Sequence, residues 1–232
     1  MSTYHAQPLV GGLAFPEGPR WHDGRLWFTD QHAHTVNAVS VSGQHEVVLQ
    51  TDDLPGGLGW LPDGRMLVVY MTERRIMQLE QGVLSVYANL SELASFHCND
   101  MVVDHSGRIF AGNFGFDLHG GAEITTAELI QVDADASARV VDRSLVFPNG
   151  SVITPDGSFL LVAETFAHRI RAFELGADGI GGDTVWADLG DITPDGICLD
   201  ADGALWVASP GTNSLIRVQH GGVILDRCET IG

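Results

Sequence analysis

The chain contains no lysine. All 12 of its basic side chains are arginines, set against 30 acidic residues and a formal net charge of −18. A chain this acidic repels nucleic-acid phosphates and anionic membrane surfaces, so we expect neither as a partner. Cysteine is also scarce. The three cysteines, Cys98, Cys198 and Cys228, are too few and too far apart to predict a disulfide framework.

Long apolar runs are missing as well. No stretch of about 18 apolar residues could cross a membrane, and the first nine residues, MSTYHAQPL, lack the basic region and apolar run of a signal peptide. We therefore expect a cytoplasmic protein. Long helical patterns are absent too, whereas 28 glycines and 44% hydrophobic residues fit many short strands joined by tight turns.

A polar turn followed by an apolar strand occurs five times. The copies are HDGRLWFTD, PDGRMLVVY, HSGRIFAGN, PDGSFLLVA and ADGALWVAS, and their turn glycines are spaced by 40, 43, 50 and 46 residues. Asp-Gly between apolar runs predicts type I′ turns, because such turns need positive φ. Four strands in a repeat of about 45 residues is the period of a propeller blade. We therefore predict an all-β propeller with five visible blades, at about 17–50, 58–88, 99–143, 150–187 and 196–226.

Aligning the repeats on the turn glycines brings polar residues to one shared position. Eight residues before the glycine, the last four repeats carry Gly56, Asn99, Asn149 and Asp195, and the first repeat carries Glu17 seven residues before it. The first strand of each propeller blade lines the central channel, so the starting ends of these strands should meet at one mouth. We expect the four polar side chains to converge there and the glycine to leave a gap.

Two carboxylates and two amide carbonyls form an all-oxygen set. Such a set favours a hard cation such as Ca²⁺ or Mg²⁺, with Mn²⁺ or Zn²⁺ as alternatives. Two carboxylates that face each other repel unless one is protonated or a cation lies between them. The competing interpretation is ordinary turn chemistry, because Asn-Gly and Asp-Gly are common turn dipeptides. Four oxygen side chains at equivalent repeat positions favour one divalent-cation site.

The segments FPEGPRW, FHCNDMVVD, FPNGSVITPDG and TPDGICLDADGALWVAS resemble the gluconolactonase, senescence marker protein and luciferin-regenerating enzyme family, over essentially the whole chain. The resemblance implies a six-bladed propeller that holds one divalent metal in its channel and opens sugar lactones. Carried over by motif, it implies that Glu17, Asn149 and Asp195 bind the metal. Asn99 would bind substrate or complete the metal shell.

The chain departs from the family's pattern in two ways. Sugar-lactonase members often carry an arginine two residues before the asparagine, where this chain has His97, a weaker and titratable contact for sugar hydroxyls. We assign His97 to substrate binding, and the alternative is a half-buried histidine satisfied by the backbone. In addition, only five repeats are visible, with residues 8–14 offering one further strand. We expect a single propeller domain over 1–232 whose sixth blade is incomplete through C-terminal truncation.

The predicted activity is hydrolysis of the ring ester of a small, sugar-like lactone, with Asp195 as general base and metal ligand. The alternatives are a ligand- or protein-binding propeller with a structural cation, or other channel chemistry of the strictosidine-synthase-like kind. The region 117–128 makes the third repeat the longest, and long insertions in repeat folds tend to lie on a working face. The loop from Asn113 to His119 is a candidate substrate lid. Asp30 and Glu164 end second strands near the same mouth. They either orient ligands from an outer shell or are exposed turn residues.

Overall fold

The computed structural model describes residues 3–230, and nearly all of their regular structure is β. Two single-turn 3₁₀ helices, Thr165–Ala167 and Pro210–Thr212, interrupt the strands. Within the described residues, no helix is long and apolar enough to cross a membrane.

The strands form five sheets, each built from four strands in chain order. The first two sheets contain β2–β5 (Pro16–His22, Arg25–Asp30, Thr35–Ser40, His45–Gln50) and β6–β9 (Pro55–Trp60, Met66–Tyr70, Arg75–Glu80, Val83–Asn89). The next two contain β10–β13 (Cys98–Val103, Ile109–Asn113, Ala127–Val132, Ala138–Leu145) and β14–β17 (Pro148–Ile153, Phe159–Glu164, Arg169–Gly176, Gly179–Asp188). The fifth contains β18–β21 (Ile197–Leu199, Leu205–Ser209, Ser214–Val218, Ile224–Glu229). The prediction of an all-β chain with five four-stranded blades is confirmed.

The fifth sheet gains one more strand, β1 (Thr3–His5), which pairs parallel with β21 and places Tyr4 opposite Cys228. The prediction of a strand in residues 8–14 is therefore wrong. That segment contains Gly12 in a positive-φ conformation, and its last N–H, from Ala14, donates to the Asp30 carboxylate instead of a neighbouring strand. The sixth blade and the truncation stay predictions.

The chain divides into two compact units. One is Pro8–Ser144, which holds the first three sheets, and the other contains the described residues up to Gln7 and from Leu145 onward, which hold the last two. Each unit has its own apolar core. Buried residues of the first core include Val36, Leu58, Met66, Val68 and Tyr70, and those of the second include Leu161, Ile170, Leu205, Val207 and Ile216.

Burial varies with the position of a strand in its blade. Every residue of β7 and β11 is buried, which explains their nearly continuous apolar sequences, MLVVY and IFAGN. Several outer strands are more exposed, and in β9 only one of seven residues is buried. The second strands β7 and β11 are thus packed on both faces, whereas the first strands that carry Glu17, Asn99 and Asn149 are only partly buried.

The turns that join first and second strands differ from the prediction in detail. Asp23 and Gly24 both have positive φ, as a two-residue type I′ turn requires. In the other four described turns only the glycine has positive φ, and its N–H donates to a backbone carbonyl three residues earlier. Type I′ is therefore correct for the first blade and wrong for the rest, whose longer turns need one left-handed residue.

Candidate active site and metal centre

The first strands of four blades contain a one-residue bulge at equivalent places. The ladder shifts register between Glu17 and Arg20, Pro55 and Leu58, Cys98 and Met101, and Pro148 and Ser151. Asn99 and Asn149 are the first unpaired residues of their bulges, and Glu17, opposite Thr29, is the last paired residue before its own. All three predicted site residues are half-buried. Bulges re-aim side chains and interrupt pairing, and they are common beside active sites.

Asp195 has a comparable position in the fifth blade, although it precedes β18. Its N–H donates to the Ala208 carbonyl at 3.0 Å, and the Ala208 N–H donates to the Gly196 carbonyl at 2.9 Å. These bonds hold the segment before β18 against β19. Asp195 is half-buried, like the other three site residues.

Asn149 and Asp195 belong to the same unit and are brought together. The Gly150 N–H donates to the Asp195 carbonyl at 3.1 Å. A Cβ atom on Gly150 would lie 2.6 Å from that oxygen and 2.6 Å from the Ile197 nitrogen, so only glycine fits this approach. The backbone next to one predicted ligand is thus packed directly on the backbone of the other.

Thr165 links the same two segments through its hydroxyl. It donates to the Pro194 carbonyl at 2.8 Å and accepts from Asn149 Nδ2 at 3.3 Å. Because the hydroxyl proton is committed to Pro194, the amide must present its nitrogen to Thr165, and Oδ1 lies on the opposite side. Asn149 is therefore oriented as an oxygen donor, as a hard cation requires.

In the other unit, Gly56 and Gly57 serve packing and do not open a gap. A Cβ atom on Gly56 would lie 2.6 Å from the Asn99 carbonyl oxygen and 3.0 Å from Met71 Cγ. A Cβ atom on Gly18 would meet the Gly56 carbonyl at 3.2 Å. The predicted gap at Gly56 is wrong, because the space that a side chain would need is filled by neighbouring strands.

Asp100, the residue after Asn99, has a structural role. Its Oδ1 accepts from Arg20 Nη2 at 2.6 Å and from the Met101 N–H at 2.9 Å. Arg20 also donates to the Met101 carbonyl at 2.8 Å. This ion pair between the half-buried Arg20 and the buried Asp100 ties the first strand of the first blade to that of the third, and it balances the charge of Asp100.

Asp30 and Glu164 are buried, with 2% and 0% of their surfaces exposed, so the exposed-turn interpretation is wrong. Asp30 accepts the N–H groups of Ala14 and Phe15 at 2.8 and 2.7 Å. Glu164 accepts the Val146 N–H at 2.8 Å, and its Oε2 accepts from Arg169 Nε at 2.6 Å. Each carboxylate thus fixes the backbone two or three residues before a predicted metal ligand.

His97 is half-buried, and its ring stacks on Phe96 at 4.3 Å between centroids. Burial lowers its pKa, and the nearby charge of Asp53 opposes that shift. The His97 carbonyl accepts the Phe114 N–H at 2.9 Å. The imidazole therefore lies beside the start of β10, two residues from Asn99, in its uncharged form at neutral pH.

The predicted lid, 113–119, begins inside a strand, because Asn113 is the last residue of β11, and the predicted insertion, 117–128, ends inside one, because Ala127 and Glu128 belong to β12. Residues 119–126 are exposed and contain no strand. Glu128 is a contributor that sequence reasoning missed. Its carboxylate accepts from Ser95 and Asn113, so it ties the segment before His97 to the start of the loop.

The donor set can be tested against the predicted cation. Within residues 3–230, no group of three or more His, Cys, Asp or Glu side chains forms a metal site. A set with only two carboxylates and two amide oxygens would not count as such a group. The residues fit a hard cation in chemistry, and Asn149 fits it in orientation.

Known proteins with similar sequences include lactonases. The chain is 25% identical to a pentonolactonase of Haloferax volcanii over 91% of its own length and 72% of the relative's. It is 24% identical to regucalcin of Danio rerio, over 87% and 70%. The lactonase name confirms the predicted enzyme class, a hydrolase of carboxylic esters.

Solved structures show the same fold. Regucalcin of Agrobacterium tumefaciens, described as a calcium-binding protein, matches with a TM-score of 0.84 at 22% identity, over 100% of this chain and 81% of that one. A gluconolactonase of Xanthomonas campestris matches with a TM-score of 0.78 at 22% identity, over 94% and 76%. The SMP-30/Gluconolactonase/LRE-like family model matches residues 15–230. The chain therefore belongs to this family.

Proposed function

We propose that the protein is a metal-dependent lactonase, which hydrolyses the ring ester of a small lactone. The observation that carries the proposal is the contact between the Asn149 and Asp195 segments. There the Thr165 hydroxyl accepts from the Asn149 amide nitrogen, so the amide oxygen points away from Thr165. Relatives named pentonolactonase and 6-deoxy-6-sulfogluconolactonase support the reaction class. The resemblance indicates a sugar-like ring, and His97 in place of arginine gives a weaker contact to the hydroxyls of that ring.

In this proposal Glu17, Asn149 and Asp195 bind one divalent cation, with Ca²⁺ preferred. Their common repeat position and all-oxygen chemistry support the assignment, as do the calcium-binding description and name of the regucalcin neighbour. A bound cation of this kind polarises an ester carbonyl and acidifies a water molecule. Mg²⁺, Mn²⁺ and Zn²⁺ are the alternatives for the oxygen set.

Three side chains have the proposed roles in proton transfer and substrate binding. Asp195 is the proposed general base, which accepts a proton from the attacking water. Asn99 donates or accepts hydrogen bonds with the lactone, and His97 adds an uncharged contact two residues away. Correct placement of the ester next to Asp195 contributes to rate because it replaces a bimolecular encounter. The cytoplasmic location stays a prediction.

The test is a lactone panel followed by proton release, with protein freed of metal by chelator and then restored with Ca²⁺. We expect turnover to disappear on chelation and return on addition. Calcium binding is measured in parallel by calorimetry on Glu17→Gln and on Glu92→Gln, the latter an exposed carboxylate of the same unit. Only the first change should weaken binding. Turnover that persists without metal would overturn metal dependence, and a panel without turnover would favour a binding propeller.

A further inference from the structure

Four rings form a continuous aromatic cluster in the Pro8–Ser144 unit: Phe96, His97, Phe114 and His119. Phe96 stacks on His97 at 4.3 Å with an interplanar angle of 25°. Phe114 lies 6.0 Å from His97 and 6.4 Å from His119, and both pairs are tilted. Phe96 and His97 are half-buried and His119 is exposed, so part of the cluster is open to a ligand.

The aromatic cluster lies at the starting end of β10, beside the proposed substrate residue. Cys98 pairs with Asn113 at the end of the β10–β11 ladder. Just beyond this pair, the Phe114 N–H donates to the His97 carbonyl at 2.9 Å. The rings therefore continue from the position of Asn99 along the same end of the blade.

Polar contacts of the two flanking residues, Ser95 and Cys98, hold the segment with Phe96 and His97 in place. Glu128 accepts from Ser95 Oγ at 2.8 Å and from the Ser95 N–H at 3.1 Å. The Cys98 N–H donates to the Met71 carbonyl at 3.0 Å. The segment that carries Phe96 and His97 is thus fixed at both ends, and a ligand that uses these rings meets a preorganised surface.

The chemistry of the four side chains suits an apolar group. Apart from the imidazole nitrogens, they offer no donor or acceptor for ring hydroxyls. A hydroxyl that loses water without gaining a partner weakens binding, whereas methylene groups gain by leaving water. Aromatic faces also pack well against alkyl and aryl groups.

We propose that the aromatic cluster binds an alkyl or aryl substituent of the lactone, so that the preferred substrates are lactones with an apolar side group and not polyhydroxylated sugar lactones. The proposal rests on the proposed lactonase function, and it replaces the sugar-like substrate that the resemblance implies with an apolar one.

The test uses a matched series on one ring: D-glucono-1,5-lactone, unsubstituted δ-valerolactone, and δ-valerolactones with 5-alkyl chains of increasing length. We expect kcat/KM to rise by about fourfold for each added methylene until the cluster is covered. The rise should appear mainly in KM, because carbons beyond the first of the alkyl chain leave the ester and its leaving alkoxide unchanged. D-glucono-1,5-lactone should be the poorest substrate.

Two variants locate the effect. Phe96→Ala should flatten the dependence on chain length, and His119→Ala, at an exposed position that folding tolerates, should flatten its upper part. Trp21→Ala is the matched control, an aromatic residue of the same unit with 62% of its surface exposed at the turn end of β2. This control should keep the full dependence.

The outcomes separate the two proposals. If no member of the series is hydrolysed in the presence of metal, the lactonase function fails and the substrate class fails with it. If D-glucono-1,5-lactone is the best substrate, or if both cluster variants keep the wild-type dependence, the lactonase function stands and the aromatic cluster is not its substrate surface.

Discussion

The two ends of the first strands differ in which features recur from blade to blade. At the turn end, a positive-φ glycine recurs in each of the five blades, and in three of them an aspartate, Asp63, Asp104 or Asp200, accepts a backbone N–H group and pairs with an arginine. At the starting end, the backbone recurs as a bulge, but its side chains change from blade to blade, as at Glu17, Gly56 and Asn149. The difference supports the proposal that the turn end maintains the fold, whereas the starting end carries function on a recurring backbone.

The largest effect should come from the starting end of the fifth blade. Asp195→Ala removes the proposed base and a proposed metal ligand together, so kcat should fall by at least about 10²–10⁴-fold. Asp202→Ala is the matched control, because it removes an exposed carboxylate from the turn end of the same blade. Steady-state kinetics at saturating Ca²⁺ measures both. Near-normal rates for Asp195→Ala would place the base elsewhere.

Gly150→Ala should destabilise the protein, because it places a side chain in the close contact between the Asn149 and Asp195 segments. The added Cβ would lie 2.6 Å from the Asp195 carbonyl oxygen, which is backbone and cannot turn away. Overpacking of this kind costs about 2–3 kcal/mol, and urea unfolding should reveal it with a loss of activity. Gly196→Ala is the control, because no atom lies within 4 Å of its added Cβ. Equal stability of the two variants would show that this contact is looser than described.

The Thr165 bridge should have a smaller effect. Thr165→Val keeps the shape but removes the hydroxyl that orients Asn149, so calcium affinity should fall by about tenfold. Thr165→Ser restores the hydroxyl and should restore most of the affinity. Calorimetric titration compares the three proteins. If valine binds calcium as well as threonine does, the hydroxyl does not set the direction of the Asn149 amide.

The repeat and its five blades could be predicted, because Asp-Gly turns and apolar strands are local patterns. The seven-residue spacing of Glu17 also has a local cause, since its two-residue turn is shorter than the others. The bulges could not be predicted, because one extra residue cannot be recognised in a strand whose apolar and polar residues do not alternate regularly. Thr165 and Glu128 act on partners 29 and 33 residues away, so only the tertiary structure shows their roles.

The smallest effect should come from the turn end, through Asp104. Its buried carboxylate accepts from Ser106, from the Arg108 N–H at 2.9 Å and from Arg108 Nε at 2.7 Å. Burial alone would raise the pKa of Asp104, but these hydrogen bonds outweigh burial and hold the pKa below its ordinary value of 3.8. Asp104→Asn should therefore lower the free energy of unfolding by about 1 kcal/mol at neutral pH and leave kcat unchanged.

The pH dependence gives this prediction its sign. A carboxylate whose pKa is lowered on folding stabilises the protein above its unfolded pKa of about 3.8, and that stabilisation is lost as the pH falls through the lower folded pKa. The amide of Asp104→Asn does not titrate, so the stability difference between the two proteins should be full at pH 7 and shrink below pH 3.8. Urea unfolding at pH 7, 4 and 3 measures it. A stability difference that stays constant over this pH range would mean that Asp104 stabilises the turn through shape alone. A loss of activity in Asp104→Asn at pH 7 would contradict the assignment of stability to the turn end and of function to the starting end.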